Sequence, residues 1–385
     1  MLEKIKRLNW LMLFATVALV TVGTLTIYSA GNARVEASMH GLWINNLVTA
    51  AVGFAIYFTL AFTDYRRLLT FASLPAYAGA LVMLVAVLIV GTDRFGGRRW
   101  LFFFQPSEVS KLCVILFLAA LAPKLEGFKG FAIAAATVGL PLLLILLEPD
   151  LGTALTLVPA CAVMLFVAHV WRRGLLVMAG AGLLAATVIL GAVGMAERPG
   201  TSVGHREQIM KYVPLKSHQV KRIKTFLYPD EDRTGAGYTL RQAKIAIGSG
   251  GFSGKGFCRG EANHLRYLPP AISINDFIFC VYAEETGFVG SAVLLALFAL
   301  LLVPAGWTAY RCADAGGRLL ALGIPTLIFA HVFVNIGMSV GLVPITGVPL
   351  PFISSGRTFL VTVMAGLGLI QSVSVYGKEI QSWES

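Results

Sequence analysis

Charged side chains are scarce in this 385-residue chain, 13% of it against 57% hydrophobic residues. So small a charged share excludes a soluble globule, which would leave broad apolar surface facing water. Cysteine is scarce as well, with five in all. Cys113, Cys161, Cys258, Cys280 and Cys312 form no CxxC or Cys/His pattern, which excludes a disulfide framework and a structural zinc site. The histidines, His40, His169, His205, His218, His264 and His331, lack metal-ligand spacing, and none is assigned a catalytic role. Low-complexity segments and internal repeats are missing too.

What the chain does have is apolar runs of membrane-crossing length, about 20 residues each. They predict spans at 9–28, 43–62, 70–91, 107–123, 130–147, 152–170, 174–194, 275–303, 318–342 and 351–374. The expected fold is all-α and polytopic, with about ten transmembrane helices in one membrane domain covering 1–385. Lys4, Lys6 and Arg7 precede a run from Leu8 to Ile27 that is too long for a signal-peptide core, so it reads as a retained first helix with a cytoplasmic N-terminus. That orientation puts Arg66, Arg67, Lys124, Lys129, Arg172, Arg173, Arg311 and Arg318 inside. Only Arg34, Arg94, Arg98 and Arg99 fall in the short outer connections, as the positive-inside rule requires, and both termini are then cytoplasmic.

The formal charge of +11 does not point to nucleic acid, because the basic residues lie between apolar runs rather than along one soluble face. Anionic lipid or a phosphate-bearing substrate fits better. Segment 195–274, between helices 7 and 8, is the polar exception and falls outside; long loops translocate regardless of charge. Its length marks it for function. Within it Val220, Ile223, Phe226 and Leu227 recur at helical spacing among Lys221, Arg222 and Lys224, which predicts an amphipathic helix on the membrane surface.

Four groups of residues could carry chemistry. Gln105-Pro106-Ser107-Glu108 opens a helix that places Glu108 and Lys111 on one face, either as a structural ion pair or at a wet cavity. Glu148-Pro149-Asp150-Leu151-Gly152-Thr153 is a sharp reversal in which Asp150 suits a helix cap. Gly248 to Gly256 superficially matches a phosphate loop but fails the Walker pattern, leaving a diphosphate cradle or a flexible turn. Asp276, at the outer edge of the eighth helix, can cap that helix or, partly desolvated, act as a general base. Glu284 and Glu285, deeper along it, require partners.

Together these motifs resemble the SEDS family (shape, elongation, division and sporulation), the RodA/FtsW-like group, with the RodA-like branch nearest. Further carriers of the likeness are Tyr28-Ser29-Ala30-Gly31, Arg99-Trp100, Gly235-Ala236-Gly237-Tyr238 with Gln242, Leu268-Pro269, Asp276-Phe277-Ile278-Phe279 and Thr346-Gly347-Val348-Pro349-Leu350-Pro351-Phe352. The resemblance spans nearly the whole chain. It implies a peptidoglycan glycosyltransferase that polymerises lipid II on the outer face of the bacterial cytoplasmic membrane, by inverting transfer from an undecaprenyl-diphosphate-linked donor. It further implies Asp276 as the essential acidic residue, Glu108 and Lys111 in a central cavity, and a class B penicillin-binding protein, a transpeptidase, as partner.

The motif neighbourhoods then nominate Arg99, Lys111, Arg222 and Lys255 to stabilise diphosphate charge, a task that a divalent ion could share although no ligand cluster demands one. Three departures from the family pattern stand out: Pro270 to Asn275 lengthens the approach to Asp276, Ser354 to Phe359 introduces Arg357, and Glu148 stands where Gln is commoner. Arg357 either pairs with an acidic or diphosphate group or is solvated at the interface. A precursor flippase and a non-catalytic scaffold for the transpeptidase are the rival functions. The topology is checked by cysteine accessibility in intact cells. A membrane-impermeant probe is expected to label a cysteine introduced at Pro229 and to spare one at Asp64; the reverse pattern would invert the orientation.

Overall fold

In hydrocarbon an unsatisfied backbone polar group costs several kcal/mol, so spanning segments close their hydrogen bonds internally as helices. The protein, described here as a computed structural model, meets that requirement. The structure describes residues 2–32, 41–94, 97–101, 104–148, 150–198, 201–213, 215, 217–232, 234–261 and 273–377. Arg34, His40, Pro149, His264, Leu268, Pro269 and the stretch 270–272 lie outside them, as do the side chains of Arg94, Arg98, Leu151 and His218.

The elements run α1 (Trp10–Asn32), α2 (Leu42–Ala61), α3 (Ser73–Val90), a β1 (Thr92–Arg94) and β2 (Gly97–Trp100) hairpin, α4 (Pro106–Leu121), α5 (Gly127–Leu147), α6 (Leu151–Val167) and α7 (Arg172–Ala196). The polar segment carries α8 (Val203–Met210), α9 (Ser217–Leu227) and α10 (Ala236–Ser249), and the chain returns through α11 (Ile278–Arg311), α12 (Ala315–Val340) and α13 (Arg357–Tyr376). Nine helices among the described residues are long and apolar enough to cross a membrane, and the shorter α6 supplies a tenth apolar helix. Each expected span is therefore a helix, in an all-α polytopic membrane fold.

Three boundaries differ from expectation for local reasons. The third span starts at Tyr65, where Asp64 accepts a hydrogen bond from Arg66 N at 3.0 Å, and passes through a π-turn at Leu68–Ala72 before α3. The span expected from residue 351 starts only at Arg357. Residues 344–350 are coil, and Pro349 and Pro351 each lack the N–H that a helix interior requires. The span expected at 275–303 runs from Ile278 to Arg311 and breaks at Gly287, whose φ of 66° suits glycine.

Burial orders the bundle. The apolar window of α13 is 89% buried and that of α7 only 6%, so α13 is the central post and α7 stands at the periphery. Close helix approach depends on missing side chains. A Cβ at Gly368 would lie 2.6 Å from Tyr57 O on α2, and one at Gly23 on α1 would lie 2.1 Å from Phe352 O. Gln371 adds a polar tie, donating to Asn9 O at 2.9 Å and Tyr57 Oη at 2.8 Å while its Oε1 accepts from Asn9 N at 2.8 Å. The expected amphipathic helix exists as α9, but Val220 and Thr225 are buried. It packs against α7 and α10 rather than floating on lipid alone.

Gly23→Ala is expected to destabilise the protein by about 1–3 kcal/mol, because the neighbour it meets is backbone. Gly79→Ala, on α3 with nothing within 4 Å of the new Cβ, serves as control and should hold or raise stability. Thermal unfolding in a mild detergent reads both.

Candidate active site

At the end of the bundle from which the polar segment emerges, several pieces of chain converge on a cavity of about 560 Å³. The hairpin brings Arg99 and Trp100, and the start of α4 brings Gln105 and Glu108. The start of α6 brings Asp150 and Thr153, α9 brings Arg222, and the stretch before α11 brings Asn275 and Asp276. The coil from Thr346 to Pro349 and the start of α13, with Gly356, Arg357 and Thr358, close the ring.

Local sequence explains each placement. Pro106 occupies the first turn of α4, where its missing N–H costs nothing, and Glu108 lies in the same turn, where the helix dipole favours a carboxylate. Asp150 caps α6 as expected, accepting from Thr153 N at 3.1 Å and Thr153 Oγ1 at 2.8 Å. Its other role was not anticipated: it faces the cavity, where Gln105 Nε2 donates to it at 3.2 Å. Gly347 adopts φ of 74°, and a Cβ there would stand 3.4 Å from Asp276 Oδ2, so bare backbone lies against the carboxylate.

Asp276 is only partly exposed, and burial pushes its pKa up to about 6 against the opposing pull of Arg222 and Arg99. Arg222 is itself held below the ordinary arginine range, first by burial and then by Arg99. It donates to Thr346 O at 3.4 Å, and Arg99 Nε donates to Glu148 O at 3.2 Å. Two guanidinium groups thus lean on one carboxylate in a partly enclosed chamber.

Glu148, whose carbonyl takes Arg99, is fully buried; among the described residues neither of its carboxylate oxygens is hydrogen-bonded, and burial pushes its pKa up to about 8. At neutral pH it is mostly the neutral acid. That form has the size and polarity of glutamine, which accounts for a Glu at a position where the resemblance leads one to expect Gln.

Lys111 lies one layer below the cavity. Its Nζ is 2.9 Å from Glu108 Oε2 and 2.8 Å from His331 Nε2, over the face of Phe359. His331 Nδ1 meets Pro349 O at 3.3 Å. Since that carbonyl only accepts, Nδ1 carries the proton and Nε2 accepts from the ammonium, a neutral imidazole. Glu108 and His331 reach the cavity wall. His331 gave no signal in the sequence beyond being an ionisable residue in an apolar run.

Lys255 is not among the residues lining the cavity, contrary to its nomination for diphosphate. Its Nζ is committed to Glu284 at 2.8 Å and Glu261 at 3.3 Å. The glycine stretch around it packs on the break in α11: Lys255 N and Gly256 N donate to Glu284 O and Glu285 O, and Phe288 N donates to Gly251 O. Glycines there admit backbone contact between loop and helix, as the turn reading requires. Glu285 takes its partner from Ser29 on α1. Among the described residues no group of three or more His, Cys, Asp or Glu side chains could hold a metal ion.

Fold and cavity together define a multi-pass membrane protein with a guanidinium-walled chamber around one partly desolvated carboxylate. Residues 9–379 match the FtsW/RodA/SpoVE family, described as cell cycle protein, and the chain belongs to it. Among its relatives is the peptidoglycan glycosyltransferase MrdB of Escherichia coli K12, 34% identical over 375 residues, covering 95% of this chain and 93% of that protein. Stage V sporulation protein E of Bacillus subtilis is 33% identical, covering 96% and 97%. Of solved structures, a chain of a peptidoglycan synthase complex that coordinates polymerization and crosslinking matches with TM-score 0.72 at 30% identity, covering 95% of this chain and 97% of that one. Thermus thermophilus RodA matches with TM-score 0.65 at 29% identity, covering 95% and 96%.

Lys111→Met leaves Glu108 buried without its cation, and stability is expected to fall by about 3–5 kcal/mol. Glu108→Gln combined with Lys111→Met should recover much of that loss, which thermal unfolding of the single and double variants in detergent measures.

Proposed function

We propose that this chain, a peptidoglycan glycosyltransferase, polymerises lipid II in the cavity around Asp276, at the outer face of the bacterial cytoplasmic membrane with both termini inside. The observation that carries this is the pairing of one desolvated carboxylate with Arg99 and Arg222 in a single chamber. Asp276 takes the proton of the acceptor sugar 4-hydroxyl as that oxygen bonds to the anomeric carbon of the donor. The bond from that carbon to the undecaprenyl diphosphate breaks with inversion, and negative charge grows on the departing phosphate.

Arginine suits that charge, because its planar fork meets phosphate oxygens two at a time and stays protonated. Arg99 and Arg222 are the stabilising cations, and Arg357 at the start of α13 adds a third to the same wall. Lys111 acts from below by holding Glu108 and His331, and Lys255 is left out. A flippase is disfavoured by the floor: the void beside Lys111, His331 and Phe359 is only about 10 Å³, and the three side chains touch. The solved synthase complex supports a class B transpeptidase as partner.

Asp276→Asn is expected to abolish glycan polymerisation by purified protein supplied with lipid II, while unfolding temperature and precursor binding stay near wild type, since an amide accepts no proton. A helix cap predicts survival of activity, because Asn caps as well as Asp. In the wild type the base must be ionised, so activity should climb as pH rises through about 6. Near-normal chain synthesis by a folded Asp276→Asn protein would defeat the assignment.

A further inference from the structure

The segment that carries Asp276 has little regular structure: Ser273 and Ile274 are helical, and residues 275–277 make a turn before α11. Something else must hold it. Three consecutive carbonyls there are each tied to the far side of the site. Ile274 O accepts from Ser355 N at 3.2 Å, and Asn275 O accepts from Ser354 Oγ at 2.6 Å. Asp276 O accepts from Asn335 Nδ2, on α12, at 2.9 Å.

Asn335 makes a second bond with the same nitrogen, donating to Val348 O at 2.7 Å. Both acceptors are carbonyls, so the amide is fixed with its NH₂ end toward them. Its Oδ1 is buried and has no hydrogen-bond partner among the described residues, and the residue is 0% exposed. A buried amide that leaves its oxygen unsatisfied is oriented by what its two N–H groups hold. Those two N–H groups join the turn bearing Asp276 to the coil whose Gly347 lies against the Asp276 carboxylate. The helix supplying Asn335 is well buried, and Ser339 Oγ on its next turn donates to Asn335 O at 2.9 Å.

We infer that Asn335 is a positioning residue for the glycosyl transfer: its two N–H groups pin Asp276 against the Gly347 backbone, with Ser354 as the second pin. The inference rests on Asp276 being the base. Asn335 touches no substrate; it acts by keeping the carboxylate where it is partly dry and faced by Arg222 from α9, Arg99 from β2 and Asp150 before α6. Glu108 and His331 line the same chamber. Releasing the pin lets the turn move outward and water reach the carboxylate. A hydrated carboxylate ionises more easily.

The test uses the full-length protein with lipid II, comparing wild type, Asn335→Leu, Ser354→Ala and Asp276→Asn. Misplacing a reacting group costs roughly up to 100-fold in rate. Asn335→Leu is expected to lower kcat roughly 10- to 100-fold with KM for lipid II little changed, and Ser354→Ala to lower it less. In both, the acid limb of the kcat against pH curve should move to lower pH. A merely structural role would shrink the folded fraction and leave that limb in place, so folded protein is measured alongside.

If Asn335→Leu does not fold, the Ser354→Ala limb decides. Wild-type kcat in both variants, or a loss matched by lost folded protein with the limb unmoved, overturns the inference while an inactive Asp276→Asn leaves the base assignment standing. An active Asp276→Asn overturns both.

Discussion

An amine enclosed among helices cannot keep its water, and in this protein Lys111 exchanges that water for Glu108 and a neutral His331. Much of the site follows from that exchange. Glu108 is drawn to the floor of the cavity, His331 is locked in one tautomer, and its other nitrogen fixes the Pro349 carbonyl. Phe359 covers the group from α13. One buried cation therefore joins α4, α12, α13 and the proline-bearing coil that faces Asp276.

Above that floor the carboxylates diverge by environment. Asp150 faces the same cavity as Asp276 but is consumed by the N-terminus of α6 and by Gln105, which is how a helix start treats an acid it can hydrogen-bond. Asp276 is governed instead by burial, which raises its pKa while two arginines restrain the rise. Glu148 has neither solvent nor, among the described residues, a donor to its carboxylate, and burial there outweighs Arg99. These three acids thus separate into a cap, the proposed base and a group that burial holds toward its neutral form.

The glycine stretch and the Glu284–Glu285 pair do a different job. Their backbones interlock at the break in α11, with Lys255 and Ser29 as side-chain partners. The acids that looked like orphans in the sequence are anchors that tie the polar segment to α11 and α1. The resemblance of this stretch to a phosphate cradle came from glycine's permissiveness, which serves backbone packing on a helix as readily as it serves an anion.

Hydrophobic run length determined the spans, because a bilayer of fixed thickness imposes that length on each helix. Proline and carboxylate chemistry at helix starts placed Glu108 beside Lys111 and made Asp150 a cap, both through contacts three residues apart. Asp276 was legible as an acid at a span's edge, cap or base by its chemistry alone, and the resemblance implied that it is the essential acidic residue. What the sequence could not contain was long-range company. His331 meets Lys111 across 220 positions, and Asn335 meets Asp276 across 59, through single side-chain bonds that leave no periodic trace. Lys255 had the right local surroundings and the wrong neighbours in space. Local pattern is written by the backbone and its medium, whereas which charge faces which was decided only when distant helices packed.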